Sequence, residues 1–139
     1  MRVGIPRALL FHHYGDCWLE FLESIGAEPV LSPPTTGDII TNGATRADNE
    51  TCLPVKVFSG DILSLKDEVD AMLVPRVVSQ GHGRCSCPKF FGLPDLVRAL
   101  DAELPPVLGP GPPVVGAGPA GTLAQHRRTD WKGGGRDTP

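Results

Sequence analysis

Two cysteines with prolines close behind them carry the clearest chemistry in this chain. Cys52 stands in Glu50-Thr51-Cys52-Leu53-Pro54-Val55-Lys56, and Cys87 in Cys85-Ser86-Cys87-Pro88-Lys89-Phe90-Phe91-Gly92-Leu93-Pro94-Asp95. Both segments read as the entrance to a helix. Proline is tolerated in the first helical turn because the amides there have no intrahelical partner. Free amides and the positive end of the helix dipole stabilise a thiolate. Two thiolates presented this way, in a compartment that keeps thiols reduced, suit a metal better than a cross-link. Cys85 is a candidate extra ligand, although Cys-x-Cys is a looser signal than paired Cys-x-x-Cys motifs. The competing reading makes Cys52 and Cys87 small buried apolar residues, as free cysteines often are.

Other residues weigh less. His12 and His13 are adjacent, so they point in different directions and suit a surface or loop position better than joint chelation. Arg7, Lys56, Arg76 and Lys89 could ring a phosphate or neutralise a cluster, yet each alone reads as a solvated charge or a helix-end partner. Gly116-Ala117-Gly118-Pro119-Ala120-Gly121 satisfies the dinucleotide fingerprint in letters only. That mechanism needs a full strand before it and a long helix after it, and here Pro112-Pro113 breaks the strand.

The elements that must position the cysteines alternate in type. Arg2 to Ile5 reads as a buried strand ended by Pro6. Trp18, Phe21, Leu22 and Ile25 are spaced as one face of a helix that starts at Cys17, with Asp16 as N-cap and Gly26 as stop. Cys17 is then explained by packing. Pro29 to Leu31 is a second strand, and Thr36 to Ala47 a short helix plus loop. A longer helix runs from Cys52 to about Lys66 with Val55, Phe58, Ile62 and Leu65 inward. Ala71 to Val74 is a strand covered on both faces. Gln80 to Arg84 is a loop, and Pro94-Asp95 starts a last helix with Leu96, Val97 and Leu100 inward. The expected fold is α/β: a small three-stranded parallel, Rossmann-like sheet of order 2-1-3 flanked by helices, with right-handed crossovers. Ligands of such sheets bind beyond the carboxyl ends of the strands, near Arg7, Cys52 and Cys87.

At 139 residues the chain has room for one domain. A net charge of -3 shows no basic excess, and 6% aromatic residues offer no base-stacking platform, which argues against nucleic acid. The N-terminus lacks a signal-peptide core, and no stretch reaches the roughly 18–20 apolar residues of a membrane span. A cytoplasmic location is expected. The domain is read over 1–107. Residues 108 to 139 hold 8 of the chain's 17 glycines and 5 of its 15 prolines, core-forming runs cease there, and a disordered tail is expected. The change is abrupt and rich in Gly, Pro, Ala and Arg, as a shifted reading frame in GC-rich DNA would produce; the alternative is a natural flexible tail.

Five blocks in order carry a family likeness: Val3-Gly4-Ile5-Pro6-Arg7-Ala8-Leu9-Leu10, Leu31-Ser32-Pro33-Pro34-Thr35, Cys52-Leu53-Pro54-Val55-Lys56-Val57-Phe58, Val74-Pro75-Arg76 and Cys87 to Asp95. Over roughly residues 1 to 107 the chain resembles the N-terminal part of the acyl-CoA dehydratase activase-related proteins, relatives of the cluster-bearing subunits of 2-hydroxyacyl-CoA dehydratases. The resemblance implies an oxygen-sensitive iron–sulfur cluster, of the 4Fe-4S type, at the mouth of the sheet. It also implies an ATP-driven activator as electron donor and a CoA thioester as the chemical context. By position, Cys52 and Cys87 match the family cysteines that look like cluster ligands; Cys17 and Cys85 do not. A cubane cluster takes about four ligands, so two matched cysteines make an incomplete site, and this polypeptide alone is not expected to be catalytic. The family's members are longer, so the chain reads as a fragment. The alternatives are a non-redox nucleotide- or CoA-binding module and a truncated, non-functional fragment.

Overall fold

The structure, a computed structural model, describes residues 1–78 and 86–109. Cys85, the loop expected at Gln80 to Arg84, and the tail from residue 110 onward lie outside the described residues. The elements in chain order are β1 (Arg2–Ile5), α1 (Phe11–Ser24), β2 (Glu28–Leu31), α2 (Gly37–Arg46), α3 (Leu53–Ser64), β3 (Ala71–Leu73), α4 (Pro88–Leu100) and β4 (Val107–Leu108). All four strands are parallel, in the order β2-β1-β3-β4.

The expected order 2-1-3 is present, but among the described residues the sheet has four strands and not three. The fourth is only Val107–Leu108, paired to Met72 and Leu73. Two residues behind Pro105-Pro106 show no alternation to read. Only the long-range ladder, in which the Met72 amide donates to the Pro106 carbonyl and the Val74 amide to the Leu108 carbonyl, makes them a strand.

β1 lies inside the sheet, and its side chains alternate between two cores. Val3 and Ile5 are wholly buried with Leu22 and Ala27 on the α1 side. Gly4 turns to the other face, where an added Cβ would meet Val69 at 3.1 Å and Leu65 at 3.3 Å. There Phe58, Ile62 and Leu65 pack on Met72, Val74, Leu93 and Val97. The inward face expected for α3 (Val55, Phe58, Ile62, Leu65) is buried throughout.

Helix α1 departs from expectation. It begins at Phe11, six residues before Cys17, with Leu10 at the N-cap and no side-chain cap. Its buried face is Gly15 and Leu22, with Phe11, Trp18 and Leu19 partly covered. Phe21 and Ile25 are exposed, and so is Cys17, which packing therefore does not explain. The apolar residues of α1 cover more of its circumference than one side of the sheet can bury, so periodicity located a helix but not its inner edge. Gly26 ends it as expected, at φ +74.

Residues 37–46, expected as a short helix plus loop, form the whole of α2, capped by the Thr36 hydroxyl accepting from the Ile39 amide at 3.3 Å. α2 and α3 pack almost backbone to backbone. A Cβ on Gly43 would overlap the Lys56 carbonyl oxygen, and one on Gly60 the Ile39 carbonyl oxygen. α4 does not start at Pro94: it runs from Pro88 through Pro94 to Leu100. Pro94 leaves the Phe90 carbonyl without its ladder donor, and the segment after β3 clamps the residues on either side of it. Arg76 donates to the Phe91 carbonyl at 2.6 Å and to the Asp95 carboxylate at 2.8 Å.

Candidate functional site at the carboxyl edge of the sheet

α3 leads into β3 and α4 into β4, and both strands run parallel to β1. Each helix therefore starts at the edge where the strands end. β3 and β4 are neighbours and α3 packs on α4, so the two helix entrances share one end of the sheet. Cys52 is the N-cap of α3 (φ -64, ψ 150) and Cys87 the N-cap of α4 (φ -54, ψ 134). Both carry proline in the first turn, neither side chain makes a capping hydrogen bond, and both thiols are exposed. The reading of Cys52 and Cys87 as buried packing residues fails on that exposure.

The first turns offer fewer amides than sequence suggests. Pro54 and Pro88 have no N–H. The Val55 and Lys56 amides fold back on the Cys52 carbonyl at 3.0 and 3.1 Å, and the Phe90 amide on the Cys87 carbonyl at 2.9 Å. Leu53 in α3 and Lys89 in α4 remain as the nearest amides for a thiolate. Among the described residues, no group of three or more His, Cys, Asp or Glu side chains is placed to hold a metal ion.

β1 lies at the reversal of strand order, since the chain leaves it for β2 on one side and returns to β3 on the other. Beyond its carboxyl end opens a cleft of about 410 Å³. Arg7, Leu9 and His12 form one wall, Thr35 another, and Leu53, Pro54 and Val57 of α3 the third. Leu9 sits in the left-handed region at φ 55. That conformation costs a non-glycine residue on the order of 1 kcal/mol and is concentrated at ligand clamps and switch segments. The turn is tied down by the Arg7 amide, which donates to Ser32 Oγ at 2.8 Å.

One turn along α3 from Val57 lies Asp61, wholly buried. Neither of its carboxylate oxygens has a hydrogen-bond partner among the described residues. Burial pushes this carboxyl up from 3.8 to about 6, against the opposing pull of the Ser32 hydroxyl and the charges of Arg7 and His12. Ser32, whose Oγ accepts from the Arg7 amide, acts on the carboxylate without completing a hydrogen bond to it.

The proposed ring of basic residues is not formed as a set. Arg76 is buried, paired with Asp95, and stacked 4.9 Å over the Phe91 ring, so it is a clamp on α4. Lys56 donates to the Asn49 carbonyl at 3.2 Å. Arg7 alone of the four lines the cleft, and His12 joins it from the first turn of α1. Sequence reasoning missed Asp61, Ser32 and the role of His12. The one available signal was a lone charge, Asp61, in the apolar run from Val57 to Leu63.

Fold and site together define an α/β domain with an open parallel sheet, a cleft at its strand reversal, and two helix-borne thiols at the same end of the sheet. Residues 2–110 match the CoA enzyme activase uncharacterised domain (DUF2229), and the chain belongs to this family. No curated protein and no solved structure matches it. Among the described residues no helix is long and apolar enough to cross a membrane.

Proposed function

We propose that this domain contributes two thiolate ligands, Cys52 and Cys87, to an iron–sulfur cluster used in low-potential electron transfer to CoA-thioester chemistry. The observation that carries the reading is the pair of exposed cysteines capping neighbouring helices at one end of the sheet. Membership of a CoA enzyme activase family supports a CoA-thioester context and a partner enzyme as parts of this reading. The residues fit such a group in part. A four-iron cluster needs about four thiolates, and the described residues bring two. The remaining ligands must come from elsewhere, so the cluster would sit at a boundary rather than inside this domain. When bound, it would supply one-electron transfer. The chain's own part is to hold two sulfurs at fixed helix starts, with the Leu53 and Lys89 amides nearest to them.

Anaerobic reconstitution with iron and sulfide, followed by visible absorption and EPR, tests this. Cys52→Ser or Cys87→Ser should abolish iron retention while Cys17→Ser, on the outside of α1, should not. Equal iron-to-protein ratios in all three variants, or a colourless protein in which Cys52 and Cys87 are alkylated as fast as Cys17, would end the cluster reading. The cleft at Arg7 favours a second reading, a non-redox module that binds a nucleotide or CoA at the same edge.

A further inference from the structure

We propose that the β3–β4 half of the sheet, on the side covered by α1, is a docking trough for an amphipathic helix of another polypeptide, one with a broad apolar face and a basic remainder. The inference stands apart from the cluster reading and uses neither Cys52 nor Cys87.

The wall of the trough is one flank of α1. Tyr14, Trp18, Phe21 and Ile25 follow one another at intervals of four, three and four residues, the alternation by which one helix seats its side chains along another. Tyr14, Phe21 and Ile25 are 42%, 48% and 58% exposed, and the Tyr14 and Trp18 rings stack at 6.1 Å between centroids. This flank looks toward β3. Trp18 borders the same small cavity as Leu73, Val74 and Pro75, whereas His12, on the opposite flank, borders the cleft with Thr35 beyond β2. The floor is Leu73 of β3 and Leu108 of β4, which alternate onto the α1 side and are only partly covered there.

Among the described residues no second helix lies on this side of the sheet. The steps outward to β3 and β4 cross by α3 and α4, which pack on the other face, where right-handed crossovers put them. Parallel sheets are covered on both faces, so half of this one wants a cover. A second copy of the chain fits badly. One apolar side of its α1 is already against its own sheet, so His13, Cys17, Glu20 and Ser24 would have to meet the leucine floor. The occupant needs one apolar arc wide enough for wall and floor together, the width of a core-facing amphipathic helix. Charge sets its other side. α1 carries Asp16, Glu20 and Glu23 and no lysine or arginine, and none of these acids is in an ion pair among the described residues. The turn entering β3 adds Asp67 and Asp70 at the end of the sheet where α1 finishes. Lysine and arginine complement such a rim.

The experiment uses the full chain carrying Trp131→Phe, so that Trp18 alone reports by fluorescence. Two synthetic helices are the probes: both carry leucine along one broad face, one with lysine elsewhere and the other with glutamate. The lysine helix should bind at micromolar concentration, shift the Trp18 emission to the blue, and lose affinity as salt rises. The glutamate helix should bind about tenfold more weakly or not at all. Phe21→Ser and Ile25→Ser, at exposed positions and safe for the fold, should each weaken binding by about tenfold, while Val78→Ser, an exposed apolar residue elsewhere, should change nothing. In cells, benzoylphenylalanine in place of Phe21 should photo-crosslink to a segment of a different polypeptide with helical apolar spacing and an excess of lysine and arginine. The same group in place of Asp16, on the far flank, should not. Absence of binding, equal binding of the two helices, or binding indifferent to Phe21→Ser and Ile25→Ser overturns the proposal. So does a crosslink from position 21 that is absent, that joins a second copy of this chain, or that falls on a segment without that pattern. Failure of cluster reconstitution would not touch it.

Discussion

Replacing Asp61 by asparagine separates charge from shape in the core of this domain. In the folded chain the carboxyl titrates near 6, against an ordinary 3.8. The folded state therefore binds the proton more tightly than the unfolded chain does. This group weakens the fold progressively as pH rises from about 4 to about 6, and the full loss is present above that. Taken at face value the displacement corresponds to about 3 kcal/mol at pH 7. The effective permittivity of a real protein interior lies well above that of a dry one, so about 1–2 kcal/mol is the expected effect. Asparagine leaves a neutral amide in the same unpartnered position, at a pH-independent cost on the order of 1–3 kcal/mol, so the absolute stability of the variant is not the readout. The readout is the difference between the two proteins, followed by urea denaturation at half-unit intervals from pH 4 to pH 7.5. It should move by about 1–2 kcal/mol in favour of Asp61→Asn across that window. Asp95, which the Arg76 side chain holds below the ordinary range, and Asp101, held there by the Glu103 amide and Lys66, act in the opposite sense. Their stabilisation is lost as pH falls below the ordinary carboxylate value, and it is common to both proteins. Parallel stability curves over the whole range would refute the reasoning, because they would mean that the Asp61 carboxyl is not buried as a charge.

Other expectations follow from packing. Phe58→Ala should cost about 3–5 kcal/mol, a large share of the stability of a domain this size; an unchanged melting temperature would show that α3 is not core. Gly43→Ala forces α2 away from the Lys56 carbonyl and should cost about 1–3 kcal/mol or more, whereas Gly37→Ala, with open space around it, should be near neutral by the same thermal measurement. Arg76→Met should loosen the first turns of α4, seen as faster amide exchange at residues 90–95 and faster alkylation of Cys87 but not of Cys52. Equal acceleration at both thiols would point to global unfolding instead.

Much of this fold was legible because its signals are local. The run Ala71-Met72-Leu73-Val74, bounded by Asp70 and Pro75, fits a doubly covered strand, and Val55, Phe58, Ile62 and Leu65 repeat at helical spacing over a single inner face. The prolines behind Cys52 and Cys87 correctly placed both cysteines at helix entrances. What was not legible depends on distant partners. Val107–Leu108 becomes a strand only through β3. The clamp on α4 either side of Pro94 comes from Arg76, which lies 18 residues before that proline in the chain. The inner edge of α1 is decided by where the sheet lies rather than by the helix's own pattern, and this is why Phe21 and Ile25 are outside. The cleft was harder still. Arg7, His12, Ser32 and Asp61 are unremarkable singly, and only the crossing of three chain segments makes them a group.

One detail of β2 bears on how the molecule behaves in company. β2 is an outer strand of the sheet. The Glu28 amide donates inward to the Met1 carbonyl, and the Ser32 amide to that of Ile5. Strand alternation then turns positions 29 and 31 outward, and position 29 is a proline. The open rim thus offers the Leu31 amide where a regular strand would offer two, beside the charged side chain of Glu28. An extended segment from another molecule finds half of its usual ladder missing there. Among the described residues the sheet has four short strands, and that gap guards this edge against edge-to-edge growth into aggregates; Pro29→Val would remove the guard while leaving every inward hydrogen bond in place.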